Sequence, residues 1–296
     1  MRHPAIRLAF AAALTAFAAS GPAHADAPAG ARTGAPGPEA ARFGYNGYVG
    51  GIKIGEATME IAFARARYAA KVRLETGGLL GWFVEWRNGS EAYGAPTPAG
   101  DAPLSIASYR NDSFWKGKDR FVEVAYPDGV GHIVRADPHP VTDEGRPAVP
   151  SDLLTNVLDP ISAIAAIGRR IEATGQCDAS FGVFDGRRRY QFKVRDEGEA
   201  DIGKSSSSPF GGVARKCAFV FENVAGFKVR KNKEPSEPTR GVAYFRRAEA
   251  GAPTMPIRVE TESDYGSVIL LLREVQTIDP ELAQQAARKI DGPAPE

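Results

Sequence analysis

Apolar side chains alternate with polar or smaller ones along most of this chain, and this period limits what the chain can fold into. Between residues 45 and 74, for example, Met59, Ile61 and Phe63 are each separated by a single residue. A period of two places apolar side chains on one face of a strand, whereas a helix would need a period of 3.6 residues. The pattern therefore predicts half-buried antiparallel strands.

The same alternation recurs along the rest of the chain and predicts roughly ten strands. The further segments are 104–110, 114–126, 130–135, 179–184, 188–195, 213–222, 241–247, 256–262 and 267–274. Asp185-Gly186 is a dipeptide typical of a tight hairpin turn, so it should join two neighbouring strands. Residues 196–212 are polar and predict a loop.

One stretch, residues 151–173, has helical features instead. Asp159 precedes Pro160, which matches an N-cap residue followed by proline at the first helical position. The apolar residues after Pro160 fall on one helical face, and Gly175 is a typical stop. The sequence therefore predicts a mainly β protein: a single curved antiparallel sheet or open barrel with a helical insertion near 151–173.

The N-terminus has the three parts of a secretory signal peptide. Arg2 and Arg7 make it basic, an apolar run follows, and Ala23 and Ala25 are the small residues that a signal peptidase requires. The alternative is a buried N-terminal helix. We expect a signal peptide at 1–25, a flexible leader at 26–42, one β-rich domain at 43–275 and a C-terminal tail at 276–296. The mature chain is therefore expected in the periplasm of a Gram-negative bacterium.

Charge and hydropathy argue against several classes of partner. The chain has 37 basic and 36 acidic residues, so it carries no strong field that would attract nucleic acid or an anionic membrane. Arg187, Arg188 and Arg189 form a local basic spot, which is typical of a solvated strand or turn edge. After the signal peptide no stretch is apolar enough to span a bilayer, which predicts no transmembrane segment.

Cys177 and Cys217 are the two cysteines of the chain. In an oxidising compartment an isolated pair is typical of a disulfide bond. Two free buried thiols or half of a metal site are the alternatives. A zinc site needs two further ligands, and His132 and His139 lie in a Pro- and Gly-rich stretch without ligand spacing to either cysteine. The pattern favours a disulfide and no metal site.

Residues 198–205 match the phosphate-binding expression G-x-x-x-x-G-K-[ST]. That motif needs a helix directly after it, because the helix N-terminus receives the phosphates. The residues after Ser205 are three serines, a proline, a phenylalanine and two glycines, which start a helix poorly. Glu199 and Asp201 would also direct negative charge at a phosphate. We therefore interpret the segment as a solvated loop and expect no nucleotide.

No catalytic constellation stands out in the sequence, so no catalytic residue and no cofactor are predicted. There is no G-x-S-x-G nucleophile motif, and His139 lies between two prolines, a place typical of a loop and not of a general base. A catalytic pair of carboxylates leaves no local pattern, because its two members can come from distant positions. A hydrolase of that kind stays open as an alternative.

Aromatic residues concentrate in two places, and four of them are candidates for the wall of a ligand site. They are Trp82, Phe83, Trp86 and Trp115. Trp82 and Trp86 are four positions apart, so they share a face on a strand and are neighbours on a helix. One interpretation is ordinary core packing. The other is the apolar wall of a pocket with the indole N–H groups at its wet rim.

Four segments of the chain resemble a known protein family. They are Tyr45–Gly55, Asp159–Ala163, Val183–Tyr190 and Pro256–Gly266. Taken in this order, the segments resemble those of exported proteobacterial proteins grouped as domain-of-unknown-function family 3108. The resemblance extends over roughly residues 43–275. The resemblance implies a periplasmic β-sheet protein without established catalytic residues, and α-proteobacterial members have a cysteine pair like that of this chain. More loosely, the organisation is similar to the lipoprotein-carrier group of envelope proteins, which curl one antiparallel sheet around a helix.

Together with the export signal and the aromatic cluster, these features predict a non-enzymatic periplasmic protein of the cell envelope. We expect it to bind an apolar ligand or acylated partner, such as a lipid or a lipoprotein, in the concave face of its sheet. The two alternatives are a hydrolase with a carboxylate pair and a scaffold that binds other envelope proteins through its strand edges. A dry apolar cavity favours the first hypothesis, converging carboxylates the second and an exposed apolar patch the third.

Overall fold

The computed structural model of the protein describes residues 39–64, 66–77, 86–97, 103–115, 117–228, 238–263 and 266–281. The expected signal peptide at 1–25 and residues 26–38 of the expected leader lie outside these ranges, as do residues 282–296 of the expected tail. Within the described ranges no helix has the length and apolar character needed to cross a membrane.

Most of the described residues belong to fourteen strands of one sheet. The strands are β1 (Glu39–Val49), β2 (Ile52–Ala64), β3 (Arg67–Thr76), β4 (Trp86–Pro96), β5 (Leu104–Trp115), β6 (Lys118–Ala125), β7 (His132–Asp137), β8 (Val157–Leu158), β9 (Ala179–Phe184), β10 (Arg189–Ile202), β11 (Gly212–Ala225), β12 (Thr239–Arg246), β13 (Met255–Ser263) and β14 (Gly266–Thr277). Neighbouring strands are antiparallel, except β8 and β9, which are parallel. Short 3₁₀ turns at Pro127–Gly129 and Ser151–Leu154 lie in two of the connections.

The sheet consists of two meanders, β1–β7 and β8–β14, which meet in its middle. Its strand order is β7-β6-β5-β4-β3-β2-β1-β14-β13-β12-β11-β10-β9-β8, so the pairing of β1 with β14 joins the two meanders. The edge strands β7 and β8 follow each other in the chain, and the connection at 138–156 runs from one edge to the other. A backbone hydrogen bond from Gly131 N to Leu154 O, 2.9 Å long, brings the two edges close together.

The helix α1 spans Pro160–Thr174 and begins as predicted. Asp159 is in an extended conformation and accepts hydrogen bonds from the backbone N–H groups of Ile161 and Ser162 at 2.9 and 3.0 Å. Pro160 takes the first helical position, and Gly175 ends the helix in the left-handed conformation with φ of 74°. The prediction of an N-cap at Asp159 is confirmed.

The helical insertion expected near 151–173 is also confirmed, and it is built in three pieces. A 3₁₀ turn at Ser151–Leu154 and the short strand β8 precede α1. The residue before a proline is disfavoured in helical conformation, so Asp159 separates the helix from the turn that comes before it.

α1 lies on the concave face of the sheet. It contacts β3, β4 and β5 in one meander and β9 and β13 in the other, so the sheet curls around it. The Tyr126 hydroxyl, just after β6, donates a hydrogen bond to the carbonyl of Phe184 in β9 at 2.9 Å, although β6 and β9 lie near opposite edges. Buried side chains of the strands and the helix, such as Tyr68 and Ile167, form the core between them. The prediction of a mainly β protein with a single curved sheet is confirmed.

The sheet begins earlier and ends later than the expected domain at 43–275. β1 begins at Glu39, and Ala40 and Ala41 are buried. At the other end β14 continues to Thr277, and Ile278 N donates to Ala40 O at 3.0 Å. In sequence these alanines resemble the Ala- and Pro-rich leader, but in the structure they pair with residues of β2 and are buried. Residues 39–42 therefore belong to the sheet and not to the leader expected at 26–42.

The loop expected at 196–212 is shorter than predicted. β10 continues to Ile202 and β11 begins at Gly212, with the pairing shifted between Asp196 and Glu199. This β-bulge absorbs the extra residues and lets the strand continue. Because no residue between 195 and 202 is buried, the strand lacks the apolar alternation of the others. The phosphate-motif match at 198–205 therefore lies at a strand end and in a turn that leads to another strand.

The predicted disulfide between Cys177 and Cys217 is present. Cys177 lies between α1 and β9, Cys217 lies in β11, and their Cα atoms are 6.2 Å apart. Both cysteines are fully buried. Asp196, opposite Cys217 on β10, accepts a hydrogen bond from the backbone N–H of Cys177 at 3.0 Å. The disulfide therefore ties the chain just after the helix to the second meander.

Loss of this disulfide should destabilise the fold. The bond closes a loop with a sequence separation of 40, and constraining a loop of that size in the unfolded chain contributes about 4 kcal/mol. We expect the double variant Cys177→Ala, Cys217→Ala to unfold at a lower urea concentration than the wild type and still to fold without denaturant. Alanine avoids burying an unpaired hydroxyl group at either position.

The matched control is the wild type unfolded in the presence of a reductant, which should have a midpoint close to that of the double variant. Equal midpoints for the oxidised wild type and the double variant would contradict a stabilising role of the disulfide.

Candidate functional site

The concave face of the sheet changes from buried to half-exposed along its strands. On β3, Tyr68 and Ala70 are buried, whereas Val72 and Leu74 on the same face are half-buried. Tyr68 lies next to α1, since its hydroxyl is 3.3 Å from Ser162 Oγ. The distance from the helix therefore decides how much of each side chain is covered.

The second meander shows the same gradient. Leu272 and Ile257 are buried, whereas Leu270 and Val259, two positions further along the same face, are half-buried. Leu270 and Val259 lie directly opposite each other on β14 and β13. α1 thus covers one end of the concave face and leaves the other lined by partly exposed apolar side chains. We call this part the open end, and its apolar residues are Val72, Leu74, Tyr190, Phe221, Val259 and Leu270.

Aromatic side chains of β10 and β11 form a row that leads to the open end. Phe192 stacks on Phe221 with ring centroids 4.3 Å apart, and Tyr190 meets Phe221 edge-on at 6.4 Å. Phe219 lies 6.2 Å from Phe192 and is buried, so the row runs from the core toward solvent. In sequence these residues have the spacing of ordinary strand residues, so they did not stand out as a site.

Two of the four aromatic residues predicted to line a ligand site lie at the open end. Trp86 begins β4, is half-buried, and lies directly opposite Trp115, which ends β5 with 40% of its surface exposed. By alternation Trp86 shares the concave face with the buried Ala92. Trp82 and Phe83 lie outside the described residues. A ligand-lining role for these residues stays a prediction.

Polar side chains of β4 and β5 cross the concave face as a hydrogen-bonded row, which we call the polar seam. Asn111 Nδ2 donates to Ser90 Oγ at 2.8 Å, and Ser90 Oγ donates to Asn88 Oδ1 at 3.2 Å. Tyr109 Oη lies 3.5 Å from Ser90 Oγ, and burial raises the pKa of Tyr109 above its usual value. Asn88 and Ser90 lie opposite the apolar residues of β3 at the open end. Apolar and polar groups therefore share one surface.

A buried carboxylate lies deeper, at the start of α1. Asp159 is fully buried, and its Oδ2 accepts a hydrogen bond from the Ser162 hydroxyl. Burial raises the pKa of Asp159 from 3.8 to about 6, although hydrogen bonds from Ser162 and the backbone oppose the shift. Burial, followed by the charge of Asp159, raises the pKa of Tyr68 well above its usual value. Asp159 thus anchors the helix to the sheet and has no contact with solvent.

An ion-pair network fixes the last turn of α1. Arg169 Nη1 lies 3.0 Å from Glu39 Oε2 and 2.7 Å from Glu172 Oε2. Arg247 bridges the same carboxylates, 2.5 Å from Glu39 Oε1 and 2.7 Å from Glu172 Oε1. Burial, followed by repulsion from Glu172, raises the pKa of Glu39. The charges of these two arginines and two glutamates thus balance each other at the end of the concave face that the helix covers.

A different arrangement surrounds Glu144, which lies in the connection between the sheet edges. Arg120 Nε is 3.0 Å from Glu144 Oε1. Arg146 Nε and Arg187 Nη1 are 2.7 and 3.0 Å from its Oε2. Partial burial raises the pKa of Glu144, but hydrogen bonding to Arg146 and the charges of Arg187 and Arg120 hold it below its usual value. Arg187 also donates to the carbonyl of Phe121 in β6 at 2.9 Å.

The β9–β10 turn carries a further ion pair. Asp185 accepts hydrogen bonds from the backbone N–H groups of Arg187 and Arg188 at 2.9 and 2.7 Å, which fixes the turn and confirms the predicted hairpin. Arg188 Nε and Nη2 donate to Asp185 Oδ2 at 3.0 and 2.8 Å. The guanidinium group of Arg188 lies over the ring of Tyr190, 5.2 Å from its centroid.

The interpretation of Arg187–Arg189 as a solvated edge is therefore wrong for Arg187, whereas the Arg188 side chain in the turn is 41% exposed. The Arg187 side chain is only 10% exposed, and Arg189 Nε donates to the carbonyl of Leu153 at 3.2 Å. The partners come from β6, the connection between the edges and the turn itself, which are far apart in sequence. We call the assembly the arginine cluster, and its members are Arg120, Arg146, Arg187, Arg188, Glu144 and Asp185.

A small apolar pocket lies beside the arginine cluster. It has a volume of about 200 Å³ and is lined by Ile133, Val149, Leu154 and Phe184, with Arg187 at one side. Pockets for drug-sized ligands usually measure roughly 300–1,000 Å³. This pocket therefore fits a single side chain or another short apolar group.

Neither His132 nor His139, the two histidines within the described ranges, has an arrangement that suggests chemistry. His139 Nδ1 accepts hydrogen bonds from the backbone N–H groups of Val141 and Thr142 at 3.3 and 3.4 Å, which orders the loop after β7. His132 is exposed on β7. In the part of the chain that the structure describes, no three His, Cys, Asp or Glu side chains lie together as a metal site requires.

Comparisons with known proteins agree with the resemblance found in the sequence. A family model described as a protein of unknown function (DUF3108) matches residues 44–273, which contain all four of the resembling segments. None of the curated proteins matches this chain. A crystal structure from Brucella abortus, described as a β-barrel-like protein of the domain of unknown function DUF1849, has 11% identity and a TM-score of 0.48, and the match covers 81% of this chain and 98% of that one.

Ionisation of Asp159 should make the stability of the fold depend on pH. Its pKa is about 6 in the folded protein, against a usual value of 3.8 for a solvated side chain. The folded state therefore holds the proton more tightly than the unfolded state. The free energy of unfolding should fall by up to about 3 kcal/mol as the pH rises from about 4 to about 7. Asp159→Asn keeps an oxygen for the helix N-terminus but cannot ionise, so it should lose this contribution.

Urea unfolding at several pH values measures this effect. Asp152→Asn removes an exposed carboxylate just before the helix and serves as the matched control. Relative to Asp159→Asn, the wild type should become less stable as the pH rises, and Asp152→Asn should follow the wild type. A stability difference between the wild type and Asp159→Asn that does not change with pH would rule out the titration of Asp159 in this range.

Proposed function

We propose that this chain, which belongs to the DUF3108 family of proteins of unknown function, is a non-enzymatic protein of the bacterial cell envelope that binds the apolar part of a ligand or acylated partner. The apolar part of this ligand or partner binds at the open end of the concave face. The observation that carries the proposal is the gradient along the strands, from buried side chains near α1 to half-exposed apolar ones at the other end.

The free energy for binding comes from covering these half-exposed side chains. Removing apolar surface from water contributes about 25 cal/mol per Å². An acyl chain laid against Val72, Leu74 and Leu270 gains this contribution from both partners. Because α1 and the strand pairing already hold these walls in place, little conformational entropy is lost on binding.

The polar seam favours a ligand that also has polar groups. Its amide and hydroxyl groups lie opposite the apolar residues of β3, so one ligand can meet both kinds of surface. Ligand sites commonly combine mostly apolar walls with a few hydrogen-bonding groups that fix the orientation. This combination supports a lipid, or the acyl group of a lipoprotein, over a purely apolar molecule.

The location in the periplasm is part of the proposal. The N-terminal residues have the basic, apolar and small-residue parts of a secretory signal peptide. The disulfide between Cys177 and Cys217 is of a kind that persists in oxidising compartments. Both features support an exported protein.

Neither alternative function gains comparable support from the described residues. Asp159 is inaccessible to a substrate, and Asp185 is engaged by the turn and by an arginine. Glu39 and Glu172 converge, but Arg169 and Arg247 bridge both of them, so none of these carboxylates forms an open catalytic pair. The most exposed apolar residues, Ile52, Val134 and Val213, lie on three strands that are not neighbours in the sheet. They do not form the apolar patch that a scaffold would need.

Binding of a dansyl-labelled undecanoic acid, whose fluorescence rises in apolar surroundings, tests the proposal. Leu74→Asn and Leu270→Asn place a polar group in the open end, and each should weaken binding by about tenfold. Val213→Asn changes an exposed apolar residue elsewhere on β11 and should bind like the wild type. The urea midpoint of each variant shows that the fold is kept. Absence of binding to the wild type, or equal affinities for all four proteins, would count against the open end as a ligand site.

A further inference from the structure

The charges at one side of the open end do not balance. The arginine cluster contains four guanidinium groups and two carboxylates, and the difference, 4 − 2, is a surplus of two positive charges among these described residues. In the ion-pair network at the end of the concave face that the helix covers, Arg169 and Arg247 face Glu39 and Glu172 in equal number. The arginine cluster differs from this network in having two guanidinium groups for each carboxylate.

Two arginines of the cluster present this charge toward the concave face. Arg120 lies opposite Ser113 on β5, which in turn lies opposite Asn88 of the polar seam, so all three share one face. Arg188 reaches the same face from the β9–β10 turn, because its guanidinium group lies over the ring of Tyr190, 5.2 Å from the centroid. Both guanidinium groups therefore lie on the concave side of the sheet.

Arg120 and Arg188 are also the accessible members of the cluster. Their side chains are 36% and 41% exposed, against 16% for Arg146 and 10% for Arg187. Each is held by one carboxylate, which orients its guanidinium group without using all five donors. Arginine remains charged at physiological pH, and its planar donors suit the oxygens of a carboxylate or phosphate.

The apolar surface begins where the arginine cluster ends. The Arg188 guanidinium lies over Tyr190, Tyr190 meets Phe221, and Phe221 stacks on Phe192. Phe192 is buried, whereas Tyr190 and Phe221 are half-buried, so the accessible part of this row is a cation followed by a phenol ring and one phenylalanine ring. Such a surface is complementary to a molecule with a negative head and an apolar body.

We infer that the ligand of the open end is a single-chain amphiphile with an anionic head group, such as a long-chain carboxylate. The head binds Arg188 and Arg120, and the chain lies against Tyr190 and Phe221 at the open end. A cationic or neutral head would leave the positive surplus uncompensated. The inference rests on the proposed function, which requires only an apolar ligand, and it adds the sign of the charge on the head group.

Two probes with the same apolar chain, one with a charged and one with a neutral head group, test this inference separately from the proposed function. One is the dansyl-labelled undecanoic acid and the other is its methyl ester, each titrated at neutral pH. The wild type binds the acid about tenfold more tightly than the ester, and added salt reduces this preference. Arg188→Gln loses most of the preference and binds both probes with an affinity close to that of the wild type for the ester.

Three further variants keep the test decisive. Arg188→Lys retains the positive charge and keeps a clear preference for the acid, which separates loss of charge from loss of structure. Arg120→Gln lowers the preference through a different residue of the cluster. Arg195→Gln removes an arginine whose side chain is 75% exposed and which pairs with Glu197, and it leaves both affinities unchanged.

The outcomes distinguish the inference of an anionic head group from the proposed function of binding an apolar ligand. Equal affinity of the wild type for acid and ester overturns the anionic head group but leaves the proposed function, because the ester still binds the apolar surface. An equal loss of affinity for both probes in a folded Arg188→Gln variant also overturns the inference. Binding of neither probe to the wild type contradicts the proposed function itself.

Discussion

The packing of α1 on the concave face is the contact on which the rest of the structure depends. Gly168 lets the helix approach the start of β13, because a Cβ atom there would lie 2.0 Å from the carbonyl oxygen of Thr254. Asp159 holds the first turn of the helix and Glu172 holds the last. With both ends fixed and both meanders in contact with it, the helix sets how far the sheet curls.

The same packing explains why an open end exists. A strand of fourteen residues, such as β10, is roughly 46 Å long, whereas a helix with its side chains is only about 10 Å wide. One helix therefore cannot cover the whole concave face of such strands. Beyond it the inward side chains are half-exposed, and the balanced ion pairs at the covered end give way to the arginine cluster. The shape of the candidate site therefore follows from where the helix lies.

Local signals in the sequence predict the elements but not the site. The alternation of apolar residues identifies most strands, and Asp159 marks the helix start. β4 was missed because Asn88 and Ser90 on its concave face are polar and give no apolar alternation. Arg187 resembles a solvated residue, since its partner Glu144 lies more than forty positions away and is brought near only by the curl of the sheet. The polar seam and the arginine cluster are products of long-range pairing, which a single sequence does not reveal.

Native mass spectrometry of the protein purified from the periplasm of a Gram-negative host tests the central claim most directly. The account predicts a mass above that of the processed polypeptide, released by organic solvent and identified in the extract as an amphiphile with an anionic head. Leu74→Asn, prepared in parallel, should carry less of it. A wild-type protein whose native mass equals that of the bare polypeptide would contradict the claim that the open end holds an apolar ligand.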